Sequence, residues 1–155
     1  ERLHLDAFVR HLAQAQPGLL RGLERCPGKT RWRKQQVFAR LQRARLYLEG
    51  HADRIVSLTE LAQLTSFSNW YLSKTFQATY GETLQAASRR TRMARARELL
   101  ERTGLTVEEV AMSCGFGNPS SFARAFRAET GVSSTRYRSA RRHGADAQAP
   151  LAARA

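Results

Sequence analysis

The sequence predicts an all-α fold of two helix-turn-helix subdomains, homeodomain-like three-helix units joined by a long connecting helix. Three observations lead to this prediction: a helix-turn-helix pattern near the C-terminal end, an earlier copy of that pattern, and an arginine-rich helical segment between the copies. Apolar residues in each segment recur at the three- and four-residue spacing of helices. Helical periodicity and repetition therefore agree on the fold class.

The clearer copy of the pattern ends at residue 131. Thr106 and Glu109 have the spacing of a capping box, which predicts a helix that begins after Thr106. Gly115 permits a left-handed turn, and Asn118 followed by proline is typical of the start of a second helix. The predicted inward residues of that helix are Phe122, Ala125 and Phe126, and Gly131 is its predicted stop.

The same pattern occurs earlier in the chain, where Ser57 and Glu60 repeat the capping-box spacing and Ser68 takes the place of Asn118. Equivalent residues lie 49 positions apart before the turn and 50 apart after it. Similarity at caps, core positions, turn and stop indicates an internal duplication. The equivalent pairs are Leu61/Val110, Phe67/Phe116, Leu72/Phe122, Phe76/Phe126 and Gly81/Gly131.

These residues resemble the AraC/XylS family of bacterial transcription regulators over about residues 36–140. The C-terminal hallmark is carried by Val110, Ala111, Gly115, Phe116, Asn118, Phe122, Arg124, Phe126, Arg127, Gly131, Ser133, Tyr137 and Arg138. Ser134 departs from the family, which usually has proline there. The resemblance implies a cytoplasmic, nucleoid-associated regulator of promoter DNA, more often an activator, with RNA polymerase as a second partner. It assigns effector binding and homodimerisation to a separate N-terminal domain.

The predicted organisation has five segments. Residues 1–35 are either a helical extension or the remnant of a sensing and dimerisation domain. The others are the first helix-turn-helix subdomain (36–82), the connecting helix (83–102), the second subdomain (103–142) and a disordered tail (143–155). In the first helix of subdomain one, the residues expected to face the core are Val37, Leu41, Ala44, Leu46 and Leu48.

Composition restricts the class of function. Lysine and arginine number 26 against 13 acidic residues, a net charge of +13, which favours a polyanionic partner, nucleic acid before an anionic membrane surface. No nucleophile–base pair, phosphate loop or metal-ligand spacing occurs, so we expect no enzyme, no catalytic residue, no metal and no cofactor. Cys26 and Cys114 do not form a disulfide framework, and Cys114 is expected to be a buried core thiol. Non-specific nucleic-acid binding is the alternative that charge alone would allow.

The outer faces of the two second helices are the candidate DNA-reading surfaces. Trp70 has two readings, partial burial against the preceding helix or contact with a thymine methyl group, the latter suggested by the matching family position. The basic run 31–34 is either a phosphate contact or a solvated helix start. The candidate base contacts are Asn69, Trp70, Ser73, Lys74, Asn118, Ser120 and Arg124, on helices 69–79 and 119–129. The candidate phosphate contacts are Ser68, Gln77, Arg92, Arg95, Ser121, Arg127, Arg136 and Arg138.

Overall fold

The computed structural model describes residues 18–147, with side chains up to residue 141. Over these residues every regular element is a helix, which confirms the all-α prediction. Helix α1 covers residues 18–25 of the described part. The remaining helices are α2 (Arg31–Gly50), α3 (Leu58–Thr65), α4 (Asn69–Tyr80), α5 (Leu84–Arg102), α6 (Val107–Ser113), α7 (Pro119–Thr130) and α8 (Ser134–Ala147).

The helices belong to two compact units. Within the described residues, the first unit comprises 18–47 and 57–87, and the second comprises 48–56 and 88–147. Helices α3 and α4 form the helix-turn-helix of the first unit, and α6 and α7 that of the second. Helix α5 begins in the first unit and continues into the second, so it is the connecting helix of the predicted fold.

Side-chain caps fix where helices α3, α4 and α6 begin. The Ser57 hydroxyl accepts from the backbone N–H of Glu60 at 3.1 Å, and the Ser68 hydroxyl accepts from that of Tyr71 at 3.2 Å. Thr106 and Glu109 form a complete capping box at the start of α6. Each cap of this kind stabilises its helix by about 1 kcal/mol, so these short helices are held at their first turns.

Helix α2 begins at Arg31, five residues before the helix that the sequence predicts, and the predicted boundary at residue 36 falls inside it. Thr30 caps it, because the Thr30 hydroxyl accepts from the backbone N–H of Arg33 at 3.2 Å. The expectation that Leu46 faces the core is wrong: its side chain is 65% exposed. The stripe at 37, 41, 44 and 48 follows the helical period, and residue 46 lies off that stripe.

The second unit has a core of apolar side chains from α5, α6 and α7. Cys114 is fully buried in it, as predicted, and burial raises the pKa of its thiol to about 11. Tyr137 joins α8 to this core, since its ring centroid lies 5.4 Å from that of Phe126 and its hydroxyl donates to the Glu101 carboxylate. The buried members of the core are Met93, Ala96, Leu100, Val110, Ala111, Cys114, Phe122 and Phe126.

Helix α8 extends to Ala147, five residues into the segment that the sequence assigns to a disordered tail. The prediction is therefore wrong for residues 143–147. Alanines at 145 and 147 have high helix propensity, which favours continuation of the helix. The rest of the predicted tail, and residues 1–17 of the N-terminal segment with the apolar helix expected there, lie outside the described residues.

Candidate nucleic-acid interface

Helix α4 presents a polar and aromatic face to solvent. Asn69, Trp70 and Lys74 are exposed, whereas Leu72 and Phe76 on the same helix are fully buried. Trp70 is 68% exposed, so its partial burial against the preceding helix is the wrong reading. The Lys74 Nζ lies 4.8 Å from the centre of the Trp70 ring, a cation–π contact that brings a hydrogen-bond donor and an apolar plane together. Ser73 is half-buried beside them, and Gln77 is exposed one turn after Lys74.

Helix α7 has the equivalent arrangement in the second unit. Ser120, Arg124 and Arg127 are exposed, while Phe122 and Phe126 are fully buried. The predicted faces of both second helices are thus the ones that the structure leaves in solvent.

The start of α7 restricts what two of the candidate residues are able to contact. The Asn118 Oδ1 accepts from the backbone N–H of Ser121 at 2.8 Å, so the cap occupies this oxygen and leaves the amide NH₂ for a ligand. Pro119 follows at the first helical position, exposed and without a hydrogen-bond donor. Ser121 is half-buried, which leaves its hydroxyl less accessible than that of Ser120.

The turn that leads into α7 requires glycine for two reasons. Gly115 has a φ of +72°, a left-handed conformation that is unfavourable for residues with a Cβ. A Cβ there would also lie 2.6 Å from the Cα of Arg54 and 2.9 Å from the carbonyl oxygen of Asp53. In the first unit the equivalent residue is Ser66, which is also left-handed, with a φ of +54°. The left-handed turn is therefore common to both copies, although only one copy has a glycine there.

Arg92 is buried in the second unit and is not a phosphate contact, which corrects the sequence prediction. Its side chain is only 8% exposed, and its Nη1 donates to the carbonyl oxygens of Cys114 at 3.5 Å and Gly115 at 3.4 Å. Its guanidinium carbon lies 4.5 Å from the centre of the Phe116 ring. Burial lowers the pKa of Arg92. Met93, the next residue, packs in the core, so this face of α5 is directed inward. Arg92 therefore contacts the turn between α6 and α7.

The first unit contains a related contact that sequence comparison missed. The Arg40 guanidinium carbon lies 5.3 Å from the centre of the Phe67 ring, and Phe67 is the counterpart of Phe116. Aligning the buried pairs 41/93 and 44/96 gives an offset of 52, which makes Arg40 the equivalent of Arg92. The offsets of 49 and 50 conceal this pair, because the connection before α3 is longer than the one before α6. The register of the buried apolar residues was the signal that could have revealed it.

The other candidate phosphate contacts differ in accessibility. Ser68, Arg95, Arg127 and Arg136 are exposed. Arg138 is half-buried, and its Nε and Nη2 are shielded from solvent without a hydrogen-bond partner. Two of its three guanidinium nitrogens are therefore shielded from solvent, and its contact with phosphate stays a prediction.

Between residues 18 and 147, no helix is both long and apolar enough to cross a membrane. Over the same residues, no group of three or more histidine, cysteine or acidic side chains is placed to hold a metal ion.

Comparison with known proteins defines the class of this molecule. The family model described as a helix-turn-helix domain matches residues 61–140, about half of the chain, which makes the protein a helix-turn-helix DNA-binding protein. It belongs to the AraC family of transcriptional regulators, a family of DNA-binding regulators rather than enzymes. The resemblance that the sequence suggested is thereby confirmed.

The chain is 32% identical over 93 residues to the HTH-type transcriptional activator AarP of Providencia stuartii, a match that covers 60% of this chain and 69% of AarP. A probable AraC family transcriptional regulator from Rhodopseudomonas palustris has a similar structure, with a TM-score of 0.62 and 30% identity over 66% of this chain and 97% of that one. The DNA-binding domain of AdpA, a global transcriptional factor solved with a target DNA, has a TM-score of 0.63 and 27% identity over 66% and 93% of the two chains. The chain spans only 32 to 37% of the length of several other curated relatives that it matches.

Proposed function

We propose that the chain is a sequence-specific reader of double-stranded DNA that recognises two successive major-groove boxes, one through α4 and one through α7. The observation that carries the proposal is the repetition of one exposed, capped helix in each unit. Recognition helices of this kind enter the major groove and contact base edges with their N-terminal residues. Two boxes about one helical turn apart (~34 Å) would let a single chain read an asymmetric site.

In the first box we assign base contacts to the exposed side chains of α4. The Lys74 ammonium is a donor suited to the O6 and N7 acceptors of guanine, and Trp70 offers an apolar face to a thymine methyl group. Their 4.8 Å stacking supports a joint role, because each side chain restricts the conformations of the other. Asn69 and Ser73 add shorter polar groups at the same end of the helix.

In the second box the principal reader is Arg124, because arginine forms the commonest bidentate contact with guanine. Ser120 and the Asn118 NH₂ group supply further donors. Pro119 has no hydrogen-bonding side chain, so we expect fewer specified base pairs in this box than in the first.

Phosphate contacts hold the two helices in register. The first turn of α4 offers the backbone N–H groups of Asn69 and Trp70. The first turn of α7 offers only that of Ser120, because Pro119 has none and the Asn118 cap uses that of Ser121. Arginine side chains add positive charge. The residues proposed for this role are Ser68, Gln77, Arg95, Ser121, Arg127 and Arg136.

We propose activation as the direction of regulation, with RNA polymerase as the second partner and the cytoplasm, at the nucleoid, as the location. The support is that AarP is named a transcriptional activator. Transcription in vitro from a promoter that carries the selected site, with and without the protein, tests the direction.

The test of DNA reading is selection from a random duplex library at about 150 mM salt, where non-specific binding is weak. Two enriched boxes about one turn apart are the expected result. One enriched box would mean that only one of the two helices reads sequence. Binding without enrichment that disappears as salt rises would instead support the non-specific alternative that a net charge of +13 permits.

A further inference from the structure

A cleft of about 390 Å³ lies in the first unit beside the start of α4. One side is formed by the first turns of α2, which contribute Trp32, Arg33 and Arg40. The other side is formed by Phe67 in the turn and Tyr71 on α4. The cleft therefore brings the beginning of α2 against the N-terminal end of the proposed recognition helix.

The charge of this surface favours an anionic occupant. Of the side chains that line the cleft, two are arginines and none is acidic. Positive charge continues beyond the cleft, because Arg31, which does not line it, is exposed at the start of α2 next to the lining residues. Lys34 belongs to the scaffold instead, since its Nζ donates to the backbone carbonyl of Glu24 at 2.8 Å. Trp32 is 66% exposed and supplies a large apolar plane next to these cations.

We infer that the first turns of α2 bind the DNA backbone that flanks the first box. The inference rests on the proposed function, because it takes the N-terminal end of α4 to be the end that faces base edges. Arg31 and Arg33 then neutralise phosphodiesters beside the groove, and Trp32 packs against the adjacent deoxyribose. Arg40 remains over Phe67. The first three residues of the basic run 31–34 are thus both a helix start and a DNA contact.

A small planar anion is the other occupant that aromatic walls and arginines would accept. DNA is favoured because exposed Arg31 adds positive charge outside the cleft, and because Tyr71 of the cleft lies on the first turn of α4, which also presents exposed Asn69 and Trp70.

The first test compares Arg33→Ala with Arg43→Ala on the DNA site selected with the wild-type protein. Arg43 is an exposed arginine of the same helix that does not line the cleft, so the two variants lose the same charge. Arg33→Ala is expected to weaken binding about fivefold at 0.15 M salt on every sequence, and to reduce the salt slope by about 0.9, the loss of one phosphate contact. With Arg33→Ala, the phosphate ethylation interference pattern is expected to lack one of the wild-type positions next to the first box. Arg43→Ala is expected to keep the wild-type pattern.

Equal behaviour of the two variants would overturn the inference while leaving the proposed function intact. Failure of the wild-type protein to select any sequence would instead remove the proposed function itself. The two failures are distinguishable because the selection uses no variant.

A second readout uses tryptophan fluorescence. Trp32 and Trp70 are the two tryptophans of the chain, so Trp70→Phe leaves Trp32 as the sole reporter. At saturating concentrations of the selected duplex, acrylamide quenching of Trp32 is expected to fall as the deoxyribose covers the ring. Unchanged quenching in the bound state would contradict the assignment.

Discussion

Arg92 holds the turn that precedes the second recognition helix, with its Nη1 3.4 Å from the carbonyl oxygen of Gly115 and its guanidinium 4.5 Å from the centre of the Phe116 ring. The carbonyl groups at and just beyond the C-cap of α6 have no partner in the helix, and the buried guanidinium donates to two of them, those of Cys114 and Gly115. Arg40 and Phe67 form the related pair in the first unit, at 5.3 Å. An arginine therefore lies over the turn phenylalanine in both copies, buried in the second unit and exposed in the first.

Replacement of Arg92 by alanine is expected to lower the free energy of unfolding by about 1–3 kcal/mol, because one buried and one half-buried carbonyl group lose their donor. Urea unfolding measures the change. Arg95→Ala, an exposed arginine on the same helix, serves as the control and is expected to change stability by no more than about 0.5 kcal/mol. Equal effects of the two variants would contradict a structural role for Arg92.

Removal of the glycine at Gly115 and introduction of a glycine at Ser66 are expected to change the free energy of unfolding in opposite directions. Gly115→Ala introduces a Cβ at a φ of +72° and against the backbone of Arg54, so we expect a loss of about 2 kcal/mol or more. Ser66→Gly removes the steric cost of a left-handed residue that carries a Cβ, but it also raises the conformational entropy of the unfolded chain. We therefore expect a change between zero and about 1 kcal/mol of stabilisation. Parallel urea denaturation of both variants provides the test. A Gly115→Ala protein as stable as the wild type would show that the turn relaxes.

Ser134→Pro is expected to stabilise the chain by about 0.4–1 kcal/mol. Ser134 is the first residue of α8, where proline has a suitable φ and its missing N–H breaks no helical bond. Calorimetric melting of Ser134→Pro beside Ser134→Ala separates the effect of backbone restriction from that of losing the buried hydroxyl. A lower melting temperature for the proline variant alone would mean that the ring does not fit this buried position.

Arg124→Ala and Arg127→Ala are expected to weaken DNA binding in different ways. Loss of a bidentate guanine contact costs about 1–3 kcal/mol at one base pair, so Arg124→Ala should relax specificity there. Loss of a phosphate contact at Arg127 should weaken all sequences similarly and reduce the salt slope by about 1. Affinities for the selected site and its single-base variants, measured at several salt concentrations, distinguish the two. Uniform weakening by Arg124→Ala would exclude it as a base reader.

The buried thiol of Cys114 predicts a loss of stability at alkaline pH. Burial raises its pKa from 9.0 to about 11, so folding favours the neutral thiol. The full contribution is present below pH 9 and is lost as pH rises from 9 to 11, since the unfolded chain releases the proton first. Urea midpoints across this range should fall less steeply for Cys114→Ala than for the wild type. Cys26→Ala is expected to change the pH dependence in the same direction, because burial also raises the pKa of that thiol.

Local patterns were sufficient to predict most of the scaffold. The capping box at Thr106 and Glu109, the start of α7 at Asn118 and the stop at Gly131 depend on residues within one turn of each other. The inward positions of α4 and α7 follow from helical periodicity. The internal duplication then predicted that these elements form two units, because a pattern found twice constrains the fold more than a pattern found once.

The sequence did not predict which of the charged side chains would be buried. Arg92, Arg95 and Arg97 all lie on one arginine-rich helix, and neither composition nor the 49- and 50-residue offsets identify Arg92 as the one that stacks on the turn. Leu46 was expected to face the core but is largely exposed, and of the two readings left open for Trp70 on its outer helix face, the structure supports exposure.

The sequence by itself determined the helices, their caps, the duplication and the family. Only the tertiary structure decided the burial of Arg92, the exposure of Trp70 and the position of Trp32 and Arg33 beside the start of α4. The physical reason is the range of the interactions. Caps and helical stripes join residues that are close in the chain, whereas burial depends on how a helix is rotated against segments that are distant in sequence.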